Sequence, residues 1–456
     1  MSLELLVENG NYKFKGTSHN ITKEKNTLLK PFHKQIYNFG CKLCLQPTKD
    51  QEEQLNQQIG NARFVRNNYL SSRIEYYENT KNILSVSEYK KNYLPKLKEE
   101  NEFLQLSDKF ALESAIEHVD NAYKKFYENV KLCRKVGKYK KGRKHNNVYG
   151  FPQFASKYKP NGNKYTTKFT NNNIELLYIE NLPYIKIPKV GKIRIILPKG
   201  KVIEDIVNNY TRLTSISIQK EGSSYNVSLQ LESIIDEIVP ISSNHNLISR
   251  DSILSMDMGI KSFGILGNEN YTKKIENPRW IKLHQKRLRR LQKSLSRKQY
   301  DVSTHQGSKN YYRAKDKVAK EQRKVKNQRF DFQHKLSKEI INKCNVFICE
   351  NLNIKGLLSN HKLSKEISSC GWSLFLNLVK YKLERKGGIF LQVDRFFASS
   401  KICYHCGHKN INLKLKDKLW ECPQCKTKLD RDENAKNNLF KEGIRLLESN
   451  YNLQVI

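Results

Sequence analysis

The chain has 456 residues, too many for one small core, so several domains are expected. Its 83 Lys and Arg against 45 Asp and Glu leave a formal charge of +38, a surplus that self-repulsion penalises unless a polyanion neutralises it. An AT-rich coding bias accounts for abundant lysine but not for its clustering, so nucleic acid is the expected partner. No apolar run reaches membrane-spanning length, and Met1 to Asn11 lacks a basic segment followed by an apolar core. An intracellular location is therefore expected, with the ten cysteines as thiols or metal ligands instead of disulfides.

Residues 1–33 carry mixed charge without a clear period and are expected to be a weakly ordered arm. From Ile36 to Gln46, Tyr37, Phe39, Cys41, Leu43 and Leu45 alternate, which predicts a strand closed by Pro47. Cys41 and Cys44 in that strand have Cys-x-x-Cys spacing, but alternation puts them on opposite faces with no matching pair nearby, so they read as strand thiols. Over 49–131, one stripe of Leu55, Ile59, Ala62, Val65 and Tyr69 and another of Leu112, Ile116, Val119, Tyr123 and Phe126 predict helices with core-facing sides. Lys131 to His145 holds eight Lys or Arg and no acid. Arg134, Lys135, Lys140, Lys141 and Arg143 there are read as phosphate contacts on a loop, in preference to a solvated tail.

The period becomes two between Phe151 and Leu231, through Ile185/Ile187, Ile193/Ile195/Leu197, Ile216/Ile218 and Tyr225/Val227/Leu229/Leu231. Short, evenly spaced strands predict an antiparallel barrel or sandwich, and the strand at 36–46 joining it would make the helices of 49–131 an insertion. Residues 233–250 read as a linker. Ile253 to Ile260 and Phe263 to Leu266 are strands, the first with Asp257 inside an apolar run, where a carboxylate is costly unless it is paired or binds a cation.

Residues 281–330 hold 17 Lys or Arg and three acids. Ile281, Leu288, Leu291 and Leu295 form a heptad seam with His284 as its half-buried polar member, leaving Lys286, Arg287, Arg289, Arg290 and Lys293 around the outer face for nucleic acid. A second helix is expected from Tyr311 to Asn342. Val346 to Glu350 is a third buried strand ending in an acid, followed by a helix at Trp372 to Leu383 and a strand at Ile389 to Val393. Cys403-Tyr-His-Cys406 and Cys422-Pro-Gln-Cys425, with 15 residues between them, have the spacing of a four-thiolate zinc site, and Gly407 and Pro423 are suitable turn residues. Asp430 with Glu433 predicts a capping box at the start of the last helix, which leaves Asp432 free on its first turn. Asp257, Glu350 and Asp432 lack local partners. Carboxylates brought together from separate elements would suit two divalent ions about 4 Å apart.

The chain resembles the TnpB family of transposon-encoded RNA-guided nucleases, relatives of the miniature type V CRISPR effectors. The resemblance is carried by Met256-Asp257-Met-Gly-Ile-Lys261, Glu350-Asn-Leu-Asn-Ile-Lys-Gly356, Ser399-Ser400-Lys-Ile-Cys-Tyr-His-Cys-Gly407 and Asp430-Arg-Asp-Glu-Asn-Ala435, in that order. Arg329-Phe-Asp-Phe-Gln-His-Lys335, Pro152-Gln-Phe154 and Pro47-Thr-Lys-Asp-Gln51 extend it over 36–445. It implies an α+β multidomain fold: an N-terminal antiparallel β-barrel (34–48 and 146–245) holding a helical recognition insertion (49–145), and a RuvC-like (RNase H-like) nuclease. The nuclease would span 250–398, with its basic hairpin at 281–342, and end in a helix at 429–456 after a zinc ribbon at 399–428. It implies cutting by Asp257, Glu350 and Asp432 with Mg²⁺ or Mn²⁺, structural Zn²⁺ on Cys403, Cys406, Cys422 and Cys425, and a monomer or homodimer that binds guide RNA, double-stranded target DNA and their heteroduplex. Lys436, where the family has a small residue, and Ser255, where it has Gly, depart from the pattern. The alternatives to a transposon nuclease are a miniature type V CRISPR effector and a non-cleaving RNA-guided DNA-binding regulator, and the complete triad argues against the second.

Overall fold

The computed structural model describes every residue except 1–3, 9–10, 16–20, 136–149, 160–161, 209–210, 245–246, 305, 361–362 and 415–416. The chain divides into two compact units, Met1–Glu237 and Ile238–Ile456.

In the first unit the arm is folded where it is described, against expectation. β1 (Glu4–Glu8) and β2 (Asn11–Lys15) form a hairpin, and α1 (Ile21–Leu29) follows. Leu29 is fully buried, and Lys25 pairs with Glu232 at 2.5 Å. These long-range anchors are invisible to a local period. β3 (Lys34–Gln46) then runs at the centre of a seven-stranded antiparallel sheet with β4 (Lys164–Lys168), β5 (Glu175–Ile179), β6 (Leu182–Ile187), β7 (Gly191–Ile196), β8 (Thr211–Glu221) and β9 (Ser224–Asp236). The strand order is β4-β8-β9-β3-β7-β6-β5. β3 is long because β9 pairs it from Lys34↔Asp236 to Leu45↔Tyr225 while β7 takes its other edge. Among the described residues no pairing joins the end strands β4 and β5. β9 runs to Asp236, so the expected linker at 233–250 begins later than its composition implied.

Between β3 and β4 lie α2 (Lys49–Thr80) and α3 (Lys109–Lys135), joined by short helices. Thr48 and Gln51 close a reciprocal capping box that starts α2. The predicted stripes bury Val65, Tyr69, Leu112, Ile116, Val119 and Tyr123 in a shared core, across which Arg73 pairs with Asp120 at 2.8 Å. Arg134 and Lys135 belong to the last turn of α3 and not to a loop, whereas Lys140, Lys141 and Arg143 lie outside the described residues.

The second unit is built on a five-stranded sheet of β10 (Ile253–Met258), β11 (Ser262–Gly267), β12 (Thr272–Glu276), β13 (Val346–Glu350) and β14 (Ile389–Val393). Its order is β12-β11-β10-β13-β14, antiparallel among the first three and parallel from β10 to β14. Alternation divides the side chains between two faces. Leu254, Met256, Phe347 and Cys349 pack with α5 (Lys309–Lys343) and α6 (Trp372–Arg385) through Leu336, Ile340, Phe375 and Val379. Ile253, Val346 and Ile348 pack instead under α7 (Arg431–Tyr451) with Leu439, Phe440 and Leu447. α4 (Trp280–Ser296) lies along α5 and buries none of its own residues.

Candidate metal-dependent active site

Register brings the first two acids together. β10 and β13 pair in parallel from Ile253↔Val346 to Met256↔Cys349. The next step along each strand is Asp257 beside Glu350, at the strand ends, on the face that α7 covers. α7 is held there by close contact. Gly443 lies against Ile348, where an added Cβ would stand 2.2 Å from the Ile348 Cδ1. The Ser255 hydroxyl lies 2.9 Å from the Lys436 carbonyl and 3.1 Å from the Gly267 carbonyl and shares its one proton between them. The helix begins at Asp430, whose carboxylate accepts from the amides of Asp432 (2.9 Å) and Glu433 (3.0 Å). Only half of the expected capping box forms, because the Glu433 carboxylate accepts from the Thr272 hydroxyl at 3.1 Å instead. Asp432 is left half-buried on the first turn, next to the Arg431 guanidinium at 3.4 Å.

Burial first, and then the charges of Glu350 and Asp432, together raise the Asp257 carboxyl to about 8, with Arg431 opposing them. Burial also raises Glu350. Glu350 and Asp432, the other two acids named from the sequence, therefore both lie within range of the Asp257 charge. Among the described residues, the four cysteines are the only His, Cys, Asp or Glu group placed closely enough to hold one metal ion, their ligand atoms all within 4.8 Å of one another. A set of neighbouring carboxylates suits hard divalent cations that keep water and phosphate in their shell.

The cysteines do form a metal-sized cage. Cys403 Sγ lies 3.6 Å from Cys425 Sγ, and Cys406 Sγ lies 3.5 Å from Cys422 Sγ. A tetrahedron with Zn–S bonds of about 2.3 Å has sulfurs about 3.8 Å apart, so the cage fits zinc. Each knuckle turns where the fifth residue's amide donates to the first cysteine's carbonyl: Gly407 to Cys403 at 2.8 Å and Lys426 to Cys422 at 2.9 Å. Both of these residues have positive φ, so in the second knuckle Lys426, not Pro423, makes the left-handed turn. Cys41 and Cys44, half-buried in β3, are not part of a ligand group among the described residues.

Sequence reasoning missed what ties the cage to α7. Asn434 accepts from the Tyr404 amide at 2.9 Å and donates to the Ile402 carbonyl at 2.7 Å. Asn438 donates to the carbonyls of Ser399 (2.7 Å) and Ile402 (2.6 Å). Two asparagines four apart on the helix that starts at Asp430 were the available signal. Lys436 was noted only as a departure. It is fully buried, and its Nζ donates to the Asn268 carbonyl at 2.5 Å and the Thr272 hydroxyl at 3.0 Å. The two departures, Ser255 and Lys436, thus touch each other and pin α7 to β10 and to the β11–β12 turn.

On α4, Lys286, Arg289 and Arg290 are exposed. Arg287 is not free: its Nε lies 3.0 Å from the buried Glu321, which also meets His284 Nδ1 at 2.6 Å across the α4–α5 seam. That pairing keeps His284 in the seam.

An α+β chain with three neighbouring carboxylates and a four-cysteine cage carries donor groups suited to metal ions. Three family models match in sequence order: the OrfB/IS605 helix-turn-helix domain over 38–82, the OrfB/IS605 "Probable transposase" over 239–361, and the "Cas12f1-like, TNB domain" over 372–439. Over these segments the chain is similar to the TnpB (OrfB/IS605) transposase family. The segment matched as helix-turn-helix is here the end of β3 and one 32-residue helix. A Streptomyces pristinaespiralis protein named "Putative RNA-guided DNA endonuclease" is 27% identical over 87% of this chain and 87% of its own length. Its namesake InsQ from Escherichia coli K12 is 22% identical over 89% of this chain and 92% of its own. A solved CRISPR-Cas_phi3 mini-RNA-guided endonuclease is 10% identical over 94% of this chain and 97% of its own, with a TM-score of 0.47.

Proposed function

We propose that this protein is an RNA-guided DNA endonuclease that hydrolyses phosphodiester bonds at Asp257, Glu350 and Asp432. The observation that carries the reading is the placement of Asp257, at the end of β10, beside Glu350 at the end of β13 and within range of Asp432 at the start of α7, a concentration of negative charge that bound cations would relieve. The sheet order, three antiparallel strands continued by two parallel ones, supports a RuvC-like (RNase H-like) nuclease for residues 250–398 and 429–456, with 399–428 as its zinc ribbon. The seven-stranded sheet of 34–48 and 146–245, with the helices of 49–145 inserted, would be the barrel-type and recognition domains. Mg²⁺ or Mn²⁺ held by the three acids would polarise the scissile phosphate and activate the attacking water. The chain's own work is to hold the acids in place through the Asp430 cap and the Ser255–Lys436 contact, and to offset their charge with Arg431. Guide RNA, target DNA and their heteroduplex account for the +38 charge, with Lys286, Arg289 and Arg290 among the contacts.

The test is to purify the protein from its native locus, sequence the RNA that accompanies it, and programme that RNA against a plasmid. Divalent-dependent cutting that Asp257→Ala abolishes, with DNA binding retained, is expected. Cutting by the Asp257→Ala protein would refute the assignment of the site, and purification without RNA would refute the guided mechanism.

A further inference from the structure

Within the first unit, α2, α3 and β4 enclose a cavity of about 550 Å³. On α3, Ala111, Ala115, His118, Ala122 and Lys125 recur at steps of four and three residues and so form one stripe along its wall. α2 contributes Ala62, Arg63 and Arg66, and β4 contributes Lys164 and Tyr165. The alanines leave the room, and the long side chains around them are basic. Among the described residues that line the cavity there is no carboxylate.

The cations are held in place without being neutralised. Arg63 Nη1 donates to the Gly162 carbonyl at 2.9 Å, and Arg66 Nη1 donates to the Gln153 carbonyl at 2.8 Å. Burial pulls both guanidiniums below their ordinary values. Among the described residues, Lys125 and Lys164 make no ion pair. The Tyr165 hydroxyl is buried without a hydrogen-bond partner among the described residues, and the residue is only 3% exposed. Uncompensated cations around a cavity cost free energy until an anion enters. The volume is that of a small-molecule pocket, between roughly 300 and 1,000 Å³, and is far too narrow for a duplex.

We propose that this cavity takes one unstacked nucleotide of a single strand, with its phosphate on Arg63, Arg66, Lys125 and Lys164 and its base over the alanine floor beside His118 and Tyr165. The nucleotide chemistry follows from the cavity. That the nucleotide belongs to a bound strand rests on the guided-nuclease reading. A single strand presents such a nucleotide without the few kcal/mol needed to unstack a paired base.

The test uses the full chain and a fluorescein-labelled short single-stranded RNA or DNA. Ala122→Leu fills the cavity without changing charge and is expected to weaken binding roughly tenfold. Lys125→Glu with Lys164→Glu should weaken it more than the equally charged surface control, Lys96→Glu with Lys199→Glu. AMP or the oligonucleotide should shield His118 from diethyl pyrocarbonate, read by peptide mass spectrometry. An Ala122→Leu protein that melts like the parent and binds as tightly overturns the proposal, as does shielding by inorganic phosphate with AMP no better. If AMP shields His118 but the parent binds no oligonucleotide, the nucleotide pocket stands and the guided-nuclease reading falls.

Discussion

Replacing Gly443 by alanine tests how tightly the acids depend on the seating of α7. The added Cβ would stand 2.2 Å from Cδ1 and 2.8 Å from both Cγ atoms of Ile348, which is fully buried. Carbon atoms settle about 3.5–4.0 Å apart, so helix and strand must separate by about an ångström or Ile348 must leave its rotamer. Overpacking of this kind costs about 1–3 kcal/mol, against which a helix-interior glycine replaced by alanine returns at most about 1. A net loss of about 1–2 kcal/mol should lower the melting midpoint of this unit by a few degrees. The effect on cutting should be larger, because an ångström of misplacement between reacting groups costs about 10²-fold. Guided plasmid cleavage in Mg²⁺ and a thermal melt measure both, and Ile348→Ala in the Gly443→Ala background should restore part of the cutting by making room. A Gly443→Ala protein that melts no lower than the parent and cuts at the parental rate would refute the claim that this contact seats the site.

Three further outcomes follow from the same contacts. Asp257 is an acid whose folded pKa is raised to about 8, so ionising it costs stability at every pH above its unfolded value near 4. Without divalent ions the parent should therefore lose up to about 4 kcal/mol relative to Asp257→Asn between pH 5 and pH 8. Parallel melting curves for the two proteins in EDTA would contradict this. Replacing all four cage cysteines by alanine should remove bound zinc, expose 399–428 to protease and disable cutting, since Asn434 and Asn438 hold α7 through that segment. Normal cutting by that protein would show that the cage is dispensable. Lys436→Met strips the Asn268 carbonyl and the Thr272 hydroxyl of a buried donor and should cost about 1–3 kcal/mol. A melt unchanged from the parent would mean that the lysine is a passenger.

Where one element carries its own pattern, the sequence was sufficient. The strands Val346–Glu350 and Ile389–Val393 lie where alternation and apolar runs placed them, and two short-range knuckles announced the four-cysteine cage. The helical stripes of α2 and α3 were equally legible, because a 3.6-residue period is a property of one segment. What the sequence could not reveal depends on groups far apart in the chain. The described part of the first 33 residues is anchored by Lys25 meeting Glu232, and Arg287 is paired with Glu321 on the neighbouring helix. Ser255 and Lys436, 181 positions apart, looked like two separate departures and turned out to be one contact. Asp257, Glu350 and Asp432 were each recognisable as costly acids. Only the parallel register of β10 with β13, and the absence of a Cβ on Gly443 that lets α7 approach, bring them into one field, because a carboxylate's energy is set by what surrounds it in space and not by its neighbours along the chain.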